Sequence, residues 1–305
     1  MFFSLLRTAL LKFFYFLGHP VYLFIFRLIK SSSLEKRNTA IKILTKKVRH
    51  DILKISYESH SGHIGSALSI ADILTVLYFR VLKINPKNPR NRKRDKFILS
   101  KGHACTALYS VLYRKGFFLK KTLLTYHQNG SLLSGHSDNL EIPGIEAVAG
   151  SLGHGLSIGL GMALAGKHDK LNQKIYVLIS DGECNEGEIW QVAMAANQFR
   201  LDNLVVIIDY NKSQALGSTK KIMNLEPFKG KWEMFGWSTR EIDGHNLEQL
   251  EKPLKKTPFE KGKPSVIIAH TIIGKGVLFM EGNYKWHYFN LDKKMYQKAL
   301  REVKK

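Results

Sequence analysis

Lys174-Ile175-Tyr176-Val177-Leu178-Ile179-Ser180-Asp181-Gly182-Glu183-Cys184-Asn185-Glu186-Gly187 passes from an apolar run directly into an acidic turn, and a helically patterned segment, 188–197, follows it. The run before Ser180 is apolar without alternation, the pattern of a parallel strand buried on both faces. A second apolar run, Leu204-Val205-Val206-Ile207-Ile208, ends in Asp209-Tyr210-Asn211-Lys212-Ser213. Asp181 and Asn211 are thereby expected at the same carboxyl edge of the sheet, where open α/β folds collect ligands. A carboxylate, a side-chain amide oxygen and the backbone carbonyl of Ser213 are hard oxygen donors. With two phosphate oxygens and a water they would complete an octahedron suited to Mg²⁺, so the pair reads as a metal-bridged diphosphate site.

Either turn alone is an ordinary connection, since Asp-Gly and Tyr-Asn commonly follow strands. Two of them joined by strand-helix-strand spacing are more informative. No Walker loop ending in Lys-Ser or Lys-Thr links strand to helix, and Gly159-Leu160-Gly161 lies within an apolar helical pattern, where glycines permit close packing. Apolar runs near 96–100, 174–179, 204–208, 237–242 and 265–271 alternate with helical patterns over 40–57, 69–82, 104–115, 153–167 and 188–199. The expected fold is a doubly wound, mostly parallel α/β sheet covered by helices on both faces.

Further segments extend the reading: Ser61-Gly62-His63-Ile64-Gly65, Leu99-Ser100-Lys101-Gly102-His103, Ser134-Gly135-His136, Pro143-Gly144-Ile145-Glu146, Gly150-Ser151-Leu152-Gly153-His154-Gly155 and Thr271-Ile272-Ile273-Gly274-Lys275-Gly276. Together with the acidic turn and its asparagine, these ordered motifs resemble the thiamine diphosphate enzymes, and among them the transketolases. The resemblance covers about residues 38–290 and only the amino-terminal, diphosphate-binding domain. It therefore implies the amino-terminal subunit of a split transketolase.

Carried over residue by residue, the resemblance implies that Asp181, Asn211 and the Ser213 carbonyl hold Mg²⁺, for which Ca²⁺ or Mn²⁺ could substitute. Gly182 would let the backbone approach the diphosphate. Glu183, Asn211, His103, His287, Gly150 and Leu152 would contact thiamine diphosphate. His63, His103, His136 and His287 would face the reacting sugar. Imidazoles near pKa 6.5 can pass protons to and from hydroxyls at neutral pH, as ketose cleavage and re-addition require. Glu186 matches an acidic residue of the family's subunit interface. The chain departs from the pattern at Ser180, where glycine is usual, and at Tyr288, where glycine usually follows the histidine. In this family, activation of the cofactor depends on a glutamate from the pyrimidine-binding domain, and no segment here matches that domain. The resemblance thus implies a carboxyl-terminal partner chain that carries it, the two together forming a heterotetramer.

Composition sets further bounds. The 305 residues divide into a hydrophobic, basic segment, 1–34, and one α/β domain, 35–305. Only Cys105 and Cys184 occur, so no disulfide framework is expected and a reducing cytoplasm is the default. Cys184 reads as a packing residue. The formal net charge of +22 favours an acidic partner, an anionic surface or a lysine-rich solvated exterior. No nucleic-acid-binding signature accompanies it, which argues against specific nucleic-acid recognition.

Segment 1–30 is aromatic-rich, basic and free of acids. Its uncharged stretch, 13–26, is short for a bilayer span and is interrupted by Pro20. Three readings fit it: an interfacial anchor on the anionic inner face of the membrane, burial against a partner or second copy, or a tilted span. For the whole chain three functions compete. They are a transketolase subunit, a related carboligase working on a modified or nucleotide-linked sugar, and a noncatalytic scaffold, which the intact acidic and histidine set disfavours.

Overall fold

The structure, a computed structural model, describes residues 28, 29, 31 and 33–304. The readings of the amino-terminal segment as anchor, buried element or span fall on residues that lie almost wholly outside the described ones. Among the described residues no helix is long and apolar enough to cross a membrane.

The chain runs through α1 (Leu34–Glu58), α2 (Ile64–Ser69), α3 (Ala71–Val76), β1 (Lys96–Leu99), α4 (Cys105–Lys115), α5 (Lys120–Leu123), α6 (His154–His168), β2 (Ile175–Ser180), α7 (Gly187–Gln198) and β3 (Leu204–Tyr210). It continues through a short hairpin, β4 (Ser213–Gln214) and β5 (Gly217–Ser218), then α8 (Thr219–Ile222), α9 (Phe228–Met234), β6 (Ser238–Asp243), α10 (Leu247–Lys256), β7 (Ser265–His270) and α11 (Lys293–Lys304). Five strands form one sheet in the order β1-β2-β3-β7-β6, and every pairing is parallel. All five expected strands occur, each within two residues of its apolar run.

β1, β2, β3 and β7 have no polar face because both of their faces are buried, whereas the edge strand β6 exposes Arg240, Glu241 and Asp243. Phe97, Leu99, Tyr176, Leu178, Val205, Ile207, Ile267 and Ala269 join one core with residues of α1–α4, α10 and α11. Their alternates Ile98, Ile175, Val177, Ile179, Val206, Ile208, Val266 and Ile268 join a second core with α6, α7 and α9. The two-residue period of a strand sends successive side chains into opposite layers.

On the second face α6 lies close to the sheet because its contact stripe is small. A Cβ on Gly155 would come within 2.5 Å of Ser100 Oγ, and one on Gly159 within 2.5 Å of Val177 Cγ2, whereas one on Gly161 would meet nothing within 4 Å. Of the two glycines read as packing positions, Gly159 is therefore one and Gly161 is not.

Helix boundaries differ from expectation at the amino-terminal end. α1 begins at Leu34, where Ser33 Oγ accepts a hydrogen bond from Lys36 N at 3.4 Å. Its polar first turn carries no apolar periodicity to read. The single helix expected over 69–82 instead breaks at Ile70 (φ −99°, ψ 4°), and α3 continues into a π-helical turn, Leu77–Val81. The amphipathic α10, which buries Leu247, Leu250 and Leu254, and α11, which buries Ala299 and Val303, lie outside the expected helices.

Register carries this architecture to one place. Ser180 pairs with Asp209, and Tyr210 with His270, so the segments after β2, β3 and β7 leave the sheet side by side.

Candidate active site

Asp181 follows β2 and is fully buried. One carboxylate oxygen accepts from Gly182 N at 2.7 Å and the other from Lys212 N at 2.6 Å, so two loops are tied through it. Lys212 can turn its N–H back because it adopts a left-handed backbone, φ +60°. Asn211 Nδ2 donates to Asp209 Oδ2 at 3.0 Å, and its Oδ1 accepts from Ser213 N at 2.9 Å. A Cβ on Gly182 would stand 2.9 Å from Gln214 Cγ, so glycine keeps this turn against the β4 segment.

Burial, and then the charge of Asp209, push the Asp181 carboxyl up to about 7. Among the described residues no cationic side chain lies within ion-pair distance of it, and the nearby Lys101 is paired with Asp209 instead. A buried acid short of positive charge, beside an amide oxygen with a spare lone pair, is a donor set that fits a hard divalent cation. Among the described residues no cluster of three or more His, Cys, Asp or Glu forms a site of another type.

A cleft of about 380 Å³ opens over these turns, lined by residues that include His63, His103, His136, His287, Gly150, Leu152, Gly182, Asn211 and Ser213. Of the residues expected to serve metal, cofactor, sugar or subunit interface, all but Asp181, Glu183 and Glu186 line it. Three imidazoles converge, with ring centroids 5.1 Å apart for His63 and His103, 6.0 Å for His103 and His287, and 6.5 Å for His63 and His287. His63 N donates to His287 O at 2.7 Å, which locks the loop before α2 to the turn Tyr284–His287. Gly65 makes that approach possible, since a Cβ there would lie 2.9 Å from both Ile273 Cγ1 and Trp286 Cβ.

His103 Nε2 lies 3.0 Å from Ser66 Oγ. By contrast, among the described residues Nδ1 of His63 and Nε2 of Gln214 are buried without a hydrogen-bond partner, and Nδ1 of His287 makes no bond of good geometry, only a weak approach to the Tyr284 backbone. A buried polar atom left unpartnered costs about 1–3 kcal/mol. Two such atoms and a third so weakly bonded, around one cleft, mark places where a polar ligand would bond.

The imidazoles do not keep the ordinary value near 6.5. Burial, then His136 and Lys101, lower His63 to about 4; burial, then Lys101 and His63, lower His287 to about 4; burial lowers His103 well below its usual range. They are therefore neutral across the physiological range, and a pH-rate profile should show no limb near 6.5 from them. For stability the sign follows from a depressed histidine. The contribution is present above the unfolded value of 6.5 and is lost as pH falls through about 4. Ring-proton NMR titration of His63 and His287 checks this, with midpoints expected near 4.

Glu183, expected at the cofactor, does not line the cleft. It is buried, and its carboxylate accepts from Ser100 Oγ, from Gly153 N at 2.8 Å and from Ser180 N at 3.1 Å, thereby joining the segments after β1 and β2 to the start of α6. Glu186 is exposed at the N-cap of α7. Cys184 is buried, its thiol pushed well up by burial, and Sγ donates to Ser180 O at 3.6 Å, which fits a packing residue. Cys105 and Cys184 are both free thiols.

Four residues to which the sequence assigns no role complete the site. Lys101, wholly buried, places Nζ 2.6 Å from Asp209 Oδ2. Ser66 and Gln214 line the cleft, and Tyr288, in the departing position, sets its ring 5.4 Å from that of His63. Lys101 sits inside a quoted motif, but its partner is 108 positions away. A separate groove of about 440 Å³ beside Arg240, Glu248, Lys252 and Phe259 contains none of the expected site residues.

Comparison with known proteins matches residues 41–302 to the transketolase, thiamine diphosphate binding domain. An apulose-4-phosphate transketolase subunit of Phocaeicola vulgatus is 44% identical over 263 residues, covering 86% of this chain and 93% of that one. A 6-deoxy-6-sulfo-D-fructose transketolase subunit of a Clostridium species is 44% identical over 80% of this chain and 89% of that one. The crystal structure of transketolase from Campylobacter jejuni superposes with a TM-score of 0.81 at 32% identity, covering 87% of this chain and 42% of that one. The chain thus spans about two-fifths of the length of that transketolase.

Proposed function

The chain belongs to the transketolase family, and on that premise we propose that it is the amino-terminal subunit of a split transketolase that uses Mg²⁺ and thiamine diphosphate to move a two-carbon ketol unit from a ketose to an aldose. The observation that carries this reading is the fully buried Asp181, which among the described residues has no cationic partner, beneath a cleft onto which the neutral His63 and His287 face.

Asp181, Asn211 and the Ser213 carbonyl would hold Mg²⁺, and Gly182 would let the backbone meet the diphosphate. When bound, thiamine diphosphate supplies the nucleophilic carbon and the electron sink for the two-carbon unit. The chain's own residues bind, orient and move protons. Neutral His63 and His287 each offer one ring N–H and one lone pair, so they can hand a proton to a sugar oxygen and take one back without a charged resting state. His103 is oriented through Ser66, and His136 lines the same cleft.

Two of the relatives are named as subunits for sugars with an anionic end, one a phosphate and one a sulfo group. This supports an anionic ketose as substrate and a second chain as partner. That partner would bring the pyrimidine-binding domain and its activating glutamate into a heterotetramer, with Glu186 at the interface. Co-expression with the candidate partner and a ketol-transfer assay test the reading. The purified chain alone is expected to turn over at under about 1% of the rate of the complex, a loss of roughly 3 kcal/mol in barrier lowering. Equal turnover by the single chain would overturn it.

A further inference from the structure

Asp209 is sealed from solvent, and so is Lys101. The Asp209 carboxylate gathers donors from four separate segments. Oδ1 accepts from Ser69 Oγ at the end of α2, at 2.6 Å, and from Thr271 Oγ1 just after β7. Oδ2 accepts from Lys101 Nζ at 2.6 Å and from Asn211 Nδ2 at 3.0 Å. An ionised carboxylate offers about four acceptor positions and no donor, so this one is fully used. Lys101 also reaches Ser66 O at 3.4 Å. The two side chains thus form a buried ion pair, closed on the carboxylate side by three further donors.

The consequence falls on Asn211. An acceptor-only neighbour admits one orientation of its amide, with nitrogen inward toward Asp209 and Ser69 Oγ and oxygen outward toward Ser213 N. The reverse orientation would set the amide oxygen against a carboxylate. We propose that the Lys101–Asp209 pair is the positioning element of this site: it dictates which atom of Asn211 faces the cleft and so secures the oxygen offered to a cation. This inference rests on the reading of Asn211 as a metal ligand proposed above. A bare charge plug would behave differently, because it would matter only that the two charges cancel.

The test uses the full chain and the variants D209N, K101M and the electroneutral double variant K101M/D209N. Unlike aspartate, an asparagine introduced at position 209 can donate, so the Asn211 amide becomes free to turn. Three quantities are measured: thermal melting, the side-chain amide ¹⁵N–¹H signals of Asn211 in metal-free, asparagine-labelled protein, and Mn²⁺ binding in the presence of thiamine diphosphate by electron paramagnetic resonance. D209N is expected to move the Asn211 signals and weaken Mn²⁺ binding about tenfold or more while melting stays cooperative. The double variant should regain the melting temperature that K101M loses, but not the metal affinity. Recovery of wild-type Mn²⁺ affinity by the double variant overturns the inference, as does a D209N variant with unmoved amide signals and affinity within about twofold of wild type. If K101M does not fold, D209N and the double variant still decide. Failure of the wild-type chain to bind Mn²⁺ with thiamine diphosphate would refute the ligand reading instead, and the amide signals would then judge the orientation alone.

Discussion

Asp181→Asn is expected to weaken Mg²⁺-dependent thiamine diphosphate binding by about 10³-fold, or roughly 4 kcal/mol, and to abolish ketol transfer by the complex while the fold survives. The substitution keeps the shape of the side chain and leaves an oxygen for one of the two backbone N–H groups that Asp181 now serves, Gly182 N and Lys212 N. It removes the charge. Among the described residues nothing else next to Asn211 supplies an anionic ligand, since Asp209 is consumed by its four donors. Isothermal titration with Mg²⁺ and thiamine diphosphate checks the affinity.

The metal-free stability of the same variant has a definite sign. The folded pKa of Asp181 is raised to about 7 from 3.8. Its contribution is therefore present below 3.8 and lost as pH rises through about 7. A neutral amide lacks that loss. Metal-free D181N should gain melting temperature over wild type as pH rises from about 5 to about 8. A site that binds its ligand at a cost in resting stability would behave in this way.

Among the described glycines, Gly102→Ala should be the most disruptive substitution. A Cβ at position 102 would fall 1.8 Å from Ala149 O and 2.9 Å from Ala149 C, both backbone atoms that cannot swing aside. Gly102 opens the 3₁₀ turn Gly102–Ala104, which carries His103, while Ala149 precedes Gly150 and Leu152 on the facing wall of the cleft. The methyl group must push these walls apart. The expected destabilisation is about 3 kcal/mol, at the upper end of overpacking costs. A displacement of about 1 Å at His103 would lower turnover of the complex by about 10²-fold. Gly161→Ala is the contrast. In α6 a Cβ there meets nothing within 4 Å, and removing a helical glycine should stabilise by roughly 0.5–1 kcal/mol. Urea unfolding of both variants, with the ketol-transfer assay, separates them; equal stability for the two would refute the packing account.

Much of this protein is local enough to read from its residues in order. Four of the five strands of the sheet are runs of apolar side chains that make sense only when both faces are covered, the edge strand β6 being the polar exception, and the turns carrying Asp181 and Asn211 directly follow two such runs. Helices whose start or length depends on capping or on a partner surface were less legible. α1 gains its first turn from Ser33, and α11 is identifiable as a packed element only once α1 lies against it, with Tyr57 and Tyr296 stacked 4.2 Å apart.

Glu183 shows where motif position and chemical role separate. It adjoins Gly182 in the acidic turn, yet the 3₁₀ geometry rotates its carboxylate away from the cleft into bonds with Ser180, Ser100 and Gly153. Lys101 shows the converse, a residue in plain view within a motif whose function depends on an aspartate far along the chain. The α/β class, the strand positions, the family and the histidine-rich, acidic make-up of the site can all be read from residues in order, because side-chain period and turn chemistry are local properties. The neutrality of His63, His103 and His287, the want of a cation beside Asp181 among the described residues and the hold of Asp209 on Asn211 emerge only in the folded chain, because burial and hydrogen-bond partnership depend on atoms that the fold brings together from distant segments.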